Sequence, residues 1–385
     1  MTNTALLLAL VPLALTLTLV YTPAVWVNLF MLADFYSPWV LFESPLYDQY
    51  HHFLVDRLPE REAMSLPELT PQEATRERLE EVSHGFTFPV VIRGMFADAS
   101  GVESWADPQW WLDNYNQEEV LCGTFAQVME NCTIGRFFSE LEAGHPFYIS
   151  GASVIFDKHA ELHDMIDNEG IRNAEPGPRT ATQIFMGVPG MGSDMHAAIG
   201  VNIFRQVVGH KRWWFMPTSQ TPYLKPSINV NGFSAHTHTM VGKMGEEVSP
   251  WFNKLERYTV DMHPGDVLIN PPWFWHGILN LQSEGSEDSN ELVIGAPSRY
   301  GGALSIVAAL RSSPLLTVNS LLHLVRMYGR AALQPGFKIN LQADIANNRR
   351  DRDRGSGVSQ QSVAAAEAAA ATVMENKALH PFDYA

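Results

Sequence analysis

From Thr180 to Gly295 the chain is cut into short apolar runs by glycine and proline, and this punctuation constrains the fold more than any other feature. Thr182 to Val188, Gly200 to Val208, Lys211 to Met216, Tyr258 to Asp261, Val267 to Asn270 and Leu292 to Gly295 each have strand length. Short strands with regular turns specify a barrel or jelly roll. Gly209-His210 suits a two-residue type II′ hairpin. In that pairing Asn202, Phe204, Gln206, Val208, Lys211, Trp213 and Phe215 share one face of the sheet. Lys211 is the anomaly on that face: it either snorkels at a barrel mouth or meets an anion inside. Pro217 to Arg257 reads as a long loop, and His263-Pro264-Gly265-Asp266 as a turn.

Outside this region the sequence predicts helices. Thr70-Pro71-Gln72-Glu73 forms a capping box that opens a helix reaching Ser83. Phe88 to Gly94 reads as a buried strand, Asp107 to Tyr115 as an aromatic helix and Ile134 to Leu141 as another helix. Glu118 to Cys122 and Phe147 to Phe156 read as strands, and residues 303 to 329 as apolar-faced helices. The domain boundaries that follow are 1–33 for an anchor or signal, 34–85 for a stalk and packing arm, 86–310 for the main domain, 311–345 for a helical extension and 346–385 for a low-complexity tail containing the alanine-rich Ala364–Ala371. The expected fold is mostly β with flanking helices, plus an N-terminal transmembrane helix.

The anchor rests on one observation. No acidic or basic side chain precedes Asp34, and Ala5 to Val20 is apolar or Thr throughout. About 20 such residues suffice to span a bilayer. An uncleaved anchor is preferred to a signal peptide, because no Lys or Arg precedes Arg57. A buried core helix is the third reading. The net charge of -16 argues against nucleic acid as a partner. Cys122 and Cys132 offer a short-loop disulfide, and Asn131-Cys132-Thr133 a glycosylation sequon; both suit a lumenal or extracytoplasmic domain.

His196 and His276 carry the chemistry. One follows a Gly-rich turn, and the other ends the stiff aromatic run Pro271-Pro272-Trp273-Phe274-Trp275. Two neutral imidazoles on adjacent strands begin a non-heme Fe(II) site, which adds one carboxylate. His159 with His163, and His236 with His238, are weaker pairs, read as a helix face and a covering loop.

His196, Asn202 and Lys211, Gln206 to Trp213, and Pro264-Gly265-Asp266-Val267-Leu268-Ile269-Asn270-Pro271 to His276 together resemble the JmjC-type, cupin-like hydroxylases. Pro89 to Gly94 is similar to that family's entry segment, and the likeness runs from about residue 86 to about residue 310. The resemblance implies a double-stranded β-helix holding Fe(II) and 2-oxoglutarate. His196 and His276 match the metal histidines, Lys211 the lysine on the distal carboxylate of the co-substrate, and Asn202 and Ser193 polar contacts to it.

The departure is Ala198, where the family carries Asp or Glu. Asp194 also lies two residues from His196 and is the candidate substitute acid. A halide at the vacant position, as in related halogenases, is a further alternative. The expected function is a membrane-tethered Fe(II)- and 2-oxoglutarate-dependent oxygenase acting on an unidentified protein or small molecule. A non-catalytic binding scaffold is the competing reading.

Overall fold

The computed structural model describes residues 19, 22–36, 44–123, 130–228, 232–237, 251–286 and 290–333. Among these residues one sheet has seven strands, in the order Met64–Ser65, Tyr258–Met262, His210–Met216, Trp275–Leu281, Gly192–Ala198, Ser234–Thr237 and Pro226–Ile228. The other runs Glu68–Leu69, Val90–Ile92, Val267–Asn270, Val201–Val208, Val293–Tyr300, Ile184–Gly187, Tyr148–Ala152, Glu119–Gly123 and Glu130–Thr133, with Arg179–Thr182 beside Val293–Tyr300. Phe204 and Leu268 of the second sheet pack with Trp213, Phe215 and Met262 of the first, so the two sheets close on a shared interior. This is the expected jelly-roll architecture. Six strands carry the site: β1 (Gly192–Ala198), β2 (Val201–Val208), β3 (His210–Met216), β4 (Val267–Asn270), β5 (Trp275–Leu281) and β6 (Val293–Tyr300).

The expected hairpin between β2 and β3 does not form. β2 pairs with β4 and β6, whereas β3 pairs with β5 and Tyr258–Met262 in the other sheet. Gly209 is a corner, not a hairpin turn. Its φ is +64°, and a Cβ there would meet the Leu292 carbonyl oxygen at 2.7 Å, so only glycine fits. Gln206 braces the corner by donating from Nε2 to the carbonyls of Val208 and Gly209. A second corner joins Tyr258–Met262 to β4. Here the Asp266 carboxylate accepts from Arg93 Nη1, Gly94 N and His263 N. Strand alternation survives the change of sheet, so Asn202, Phe204, Lys211 and Trp213 still face one interior.

The C-terminal half of the expected anchor has another role. Residues 23–36 form helix α1 (Pro23–Tyr36), with Val27 and Met31 fully buried against the outer face of the first sheet beside Met195, Ala235 and Leu316. Burying two such side chains contributes about 1.5–3 kcal/mol each. At 14 residues α1 is roughly 21 Å long, short of the ~30 Å of a bilayer core. Among the described residues no helix is long and apolar enough to cross a membrane. Residues 1–18 lie outside the described set, as does the tail with Ala364–Ala371.

Smaller corrections have local causes. The Thr70–Glu73 capping pair forms, with the Glu73 carboxylate accepting from Thr70 N, but it closes only a turn. The helix starts later, at Arg76–Val82, under the Thr75 side chain. The stretch taken as a loop after Pro217 contains two strands, and His276 sits on a strand adjacent to that of His196, as expected. Phe147–Phe156 is strand only over Tyr148–Ala152 and then turns into the short helix Val154–Lys158. The helices after Gly302 are Ala303–Ser312 and α2 (Pro314–Leu333). Cys122 and Cys132 form a disulfide across the hairpin of Glu119–Gly123 with Glu130–Thr133, and Asn131 of the sequon is exposed.

Candidate functional site

The cavity between the sheets encloses about 600 Å³ of empty space, its open mouth included. His196, His276, Ala198, Ser193, Asn202 and Lys211 all line it, which unites every expected site residue except Asp194. His276 on β5 sits directly opposite His196 on β1, with ring centroids 4.2 Å apart. Each ring is fixed from behind. His196 Nδ1 lies 2.8 Å from the Asp194 carbonyl, and His276 Nδ1 lies 2.9 Å from the Phe274 carbonyl. A carbonyl can only accept, so this network assigns the proton to Nδ1 on both rings and makes each Nε2 an acceptor, which on His276 is met by Asn270 Nδ2 at 3.2 Å. Trp213 stacks on His276 at 5.6 Å. Burial, then the neighbouring His196, hold the His276 pKa well below the usual histidine range, so that ring stays neutral, as a ligand must.

The third iron ligand is a different matter. Between Ser193 and His196, β1 carries one residue more than β5, because His276 faces His196 while Ile278 faces Ser193. This bulge flips the parity of the strand. Ser193 and His196, three residues apart, both reach the cavity, and the Asp194 side chain does not line it. Asp194 serves through its backbone carbonyl instead. The alternation that favoured it as a substitute acid fails at the extra residue. Among the described residues no group of three His, Cys, Asp or Glu side chains is arranged to hold a metal. Two imidazoles with fixed tautomers therefore fit two positions of an iron centre, and the carboxylate of the usual triad is not supplied. His236 on Ser234–Thr237 pairs with His196 from its other side but does not join such a group; His238 lies outside the described residues. His159 and His163 sit away from the cavity, contacting Glu118 and Arg179.

Lys211 marks the other end of the cavity. It is 1% exposed, and Nζ donates to Asn280 Oδ1 at 2.5 Å. Asn280 is oriented by donating from Nδ2 to the Val188 carbonyl, so its oxygen must face the lysine. Gly295 makes room: a Cβ there would fall 2.2 Å from the Phe204 ring and 3.1 Å from Lys211 Cε. Burial pushes the Lys211 ammonium down to about 7. Among the described residues no Asp or Glu lines this cavity, so none of them places a carboxylate beside a charged Lys211. Three more buried polar atoms on the walls have no partner: Asn202 Oδ1, Asn270 Oδ1 and Trp213 Nε1. Buried polar groups are normally paired, so the cavity is built for a polar ligand.

The sequence did not single out Tyr148, Asn270 or Arg299. Tyr148 lines the cavity and hydrogen-bonds Ser193, and burial raises its pKa. Asn270 ends β4, and its Nδ2 lies 3.2 Å from His276 Nε2, which ties the two sheets together at the histidines. Arg299 lies opposite Asn202 on β6. All three come from strands whose facing could be read only once the corners were known. Trp273, in the left-handed region at φ +59°, is held by its N–H to the Ala198 carbonyl and by Nε1 to Thr317 Oγ1 on α2. That strained turn aims the strand carrying His276.

Comparison with known proteins agrees with this architecture. A stretch of 122 residues, 30% of this chain, is 30% identical to the HSPB1-associated protein 1 homolog of Danio rerio, covering 27% of that relative. HSPB1-associated protein 1 of Mus musculus is 35% identical, and that of Homo sapiens 34%, each over 83 residues covering 21% of this chain and 17% of the relative. The chain thus matches little more than a quarter of the length of these relatives at most. A family model for the cupin-like domain matches residues 77–293, more than half of the chain, covering β1 to β5 and only the first residue of β6. The chain belongs to the cupin-like domain family, in the JmjC-like group that its sequence resembles.

Proposed function

We propose that this barrel binds 2-oxoglutarate, or an oxo-dicarboxylate of its class, in the manner of an oxygenase, with the distal carboxylate on Lys211. One observation carries this reading: a fully buried ammonium at the base of a polar cavity, with no carboxylate lining the walls among the described residues. A bound carboxylate would supply the missing charge through a short charge-assisted hydrogen bond. Ser193, tied to Tyr148, and Asn202 add polar contacts. His196 and His276 face the same space and are the two imidazoles that would hold Fe(II), which supplies the oxygen chemistry of this family when bound. The described residues do not complete the usual iron triad, so we derive no oxygenation step. Ala198 favours a second reading, in which the domain binds the same oxo-acid without turnover. Membrane association through the apolar N-terminal segment is a further proposal, supported by composition alone.

Anaerobic calorimetry with 2-oxoglutarate tests the first claim, with and without Mn(II) as an inert stand-in for Fe(II). Saturable binding that is lost in Lys211→Met supports it; no binding to the wild type overturns it. Succinate formation with Fe(II) and O₂ then separates turnover from binding alone.

A further inference from the structure

The cavity has a second cation, and it lies at the opposite end from the first. On β6, Gly295 packs beside the Lys211 side chain, while Arg299 stands four residues further along the same strand. At ~3.3 Å per residue the two levels are roughly 13 Å apart. Arg299 shares a cross-strand row with Asn202 and Asn270, and Asn270 touches His276, so this end is the end of the histidines. The charge of Arg299 also acts on His276, helping to lower its pKa.

The other arginines of the fold show what a structural role looks like here. Arg205, fully buried, pairs with Asp167 and Ser298. Arg179 has Asp167 and Glu175, Arg212 has Asp261, and Arg93 has Glu68 and Asp266. Arg257 has no carboxylate but is occupied by the carbonyls of Arg61, Asn253 and Leu255. Arg299 fits neither pattern. It is half-buried and lines the cavity, and its side chain donates from Nε to Gln183 Oε1 at 3.1 Å. Gln183 is itself anchored to the Gly151 carbonyl. Nε is therefore used for positioning, and among the described residues neither Nη group meets an acid. A guanidinium fixed in this way presents a two-pronged donor that matches a carboxylate.

We propose that Arg299 is a specificity-determining residue for a second ligand, and that the substrate taken beside the histidines is an organic acid whose carboxylate it binds. This rests on the reading of the Lys211 end as the oxo-acid site. Each end then carries one cation for one anionic group. Ala198, by removing a negative charge next to the histidines, makes the Arg299 end more receptive to an anion. A carboxylate suits the single positive charge better than a doubly charged phosphate.

The test uses the full chain saturated with 2-oxoglutarate, probed by saturation-transfer NMR with aliphatic and aromatic monocarboxylates and their primary amides. The expected result is that acids bind and matched amides do not. Arg299→Gln should weaken the acids more than tenfold and 2-oxoglutarate less than threefold, with Arg299→Lys partly restoring the acids. Circular dichroism confirms that each variant is folded, and the Lys variant replaces the Gln variant if only the former folds. The proposal is overturned if acids and amides bind alike, if no acid binds, or if either variant leaves acid binding unchanged. A parallel loss of 2-oxoglutarate in Arg299→Gln would also overturn it, by assigning the arginine to the oxo-acid. Failure of the underlying reading is distinct: 2-oxoglutarate would then bind Lys211→Met as well as it binds the wild type.

Discussion

Replacing Lys211 by Met should make the ligand-free protein more stable, the opposite of what most changes in a core do. The ammonium is pushed from its ordinary value of 10.5 to about 7 by burial. The unfolded chain therefore holds this proton more readily than the folded one between those two values. Stability rises with pH across that window, and the penalty is fully present below it. At pH 7 the penalty amounts to about 4 kcal/mol, falling to about 1 kcal/mol at pH 9.5. Met fills a similar volume without the charge. It leaves Asn280 Oδ1 without its donor, which costs about 1–3 kcal/mol. The net gain at pH 7 is then about 1–3 kcal/mol, or a few degrees in the melting temperature of a domain this size. Thermal melts of both proteins at pH 7 and pH 9.5, with and without 2-oxoglutarate, measure it. Met should raise the apo melting temperature at pH 7, lose that advantage entirely at pH 9.5, and abolish stabilisation by the ligand. A Met variant that melts lower at pH 7 and is still stabilised by 2-oxoglutarate would refute the buried, ligand-seeking lysine.

Three further outcomes follow from the geometry. Ala198→Asp restores a carboxylate on the cavity wall beside His196 and should tighten Co(II) binding more than tenfold, read from the visible d–d bands; unchanged affinity would mean that residue 198 does not reach the metal position. Gly209→Ala forces a Cβ into the Leu292 carbonyl at an unfavourable φ and should destabilise the domain by about 2 kcal/mol or more in urea titrations. Cys122→Ser opens a ten-residue loop and should cost about 2–3 kcal/mol, a loss that dithiothreitol reproduces in the wild type.

The strand pattern was legible in the sequence because alternation is local. Asn202 with Phe204, and Lys211 with Trp213, could each be placed on one face of their own strand without knowing which strands they would neighbour. Partner choice is not local. Gly209 has the composition of a hairpin turn, and only the close approach of the Leu292 carbonyl, more than 80 residues away, makes it a corner. The two histidines stood out through their flanking motifs. Asp194 misled because a bulge has no signature in the sequence: the extra residue is visible only when Ile278 is found opposite Ser193. Arg299 was hidden for the same kind of reason, since its lack of an acid partner is a fact of three dimensions. Hydrophobicity of the N-terminal run reports a need for burial and is silent on whether lipid or protein meets it; for Val27 and Met31 it is protein, and residues 1–18 lie outside the described set.

The walls of the cavity are drawn from Tyr148 on one side to Arg299 on the other, with the histidines on β1 and β5 between them. A fragment that ends before β6 lacks Pro297 and Arg299 from the wall, and one that starts after Tyr148 lacks the phenol beside Ser193. A truncation that removes part of this span would therefore weaken ligand uptake. Occupancy of the recess would in turn hold together distant parts of the polypeptide, making small-molecule binding a direct gauge of whether the whole domain has finished folding.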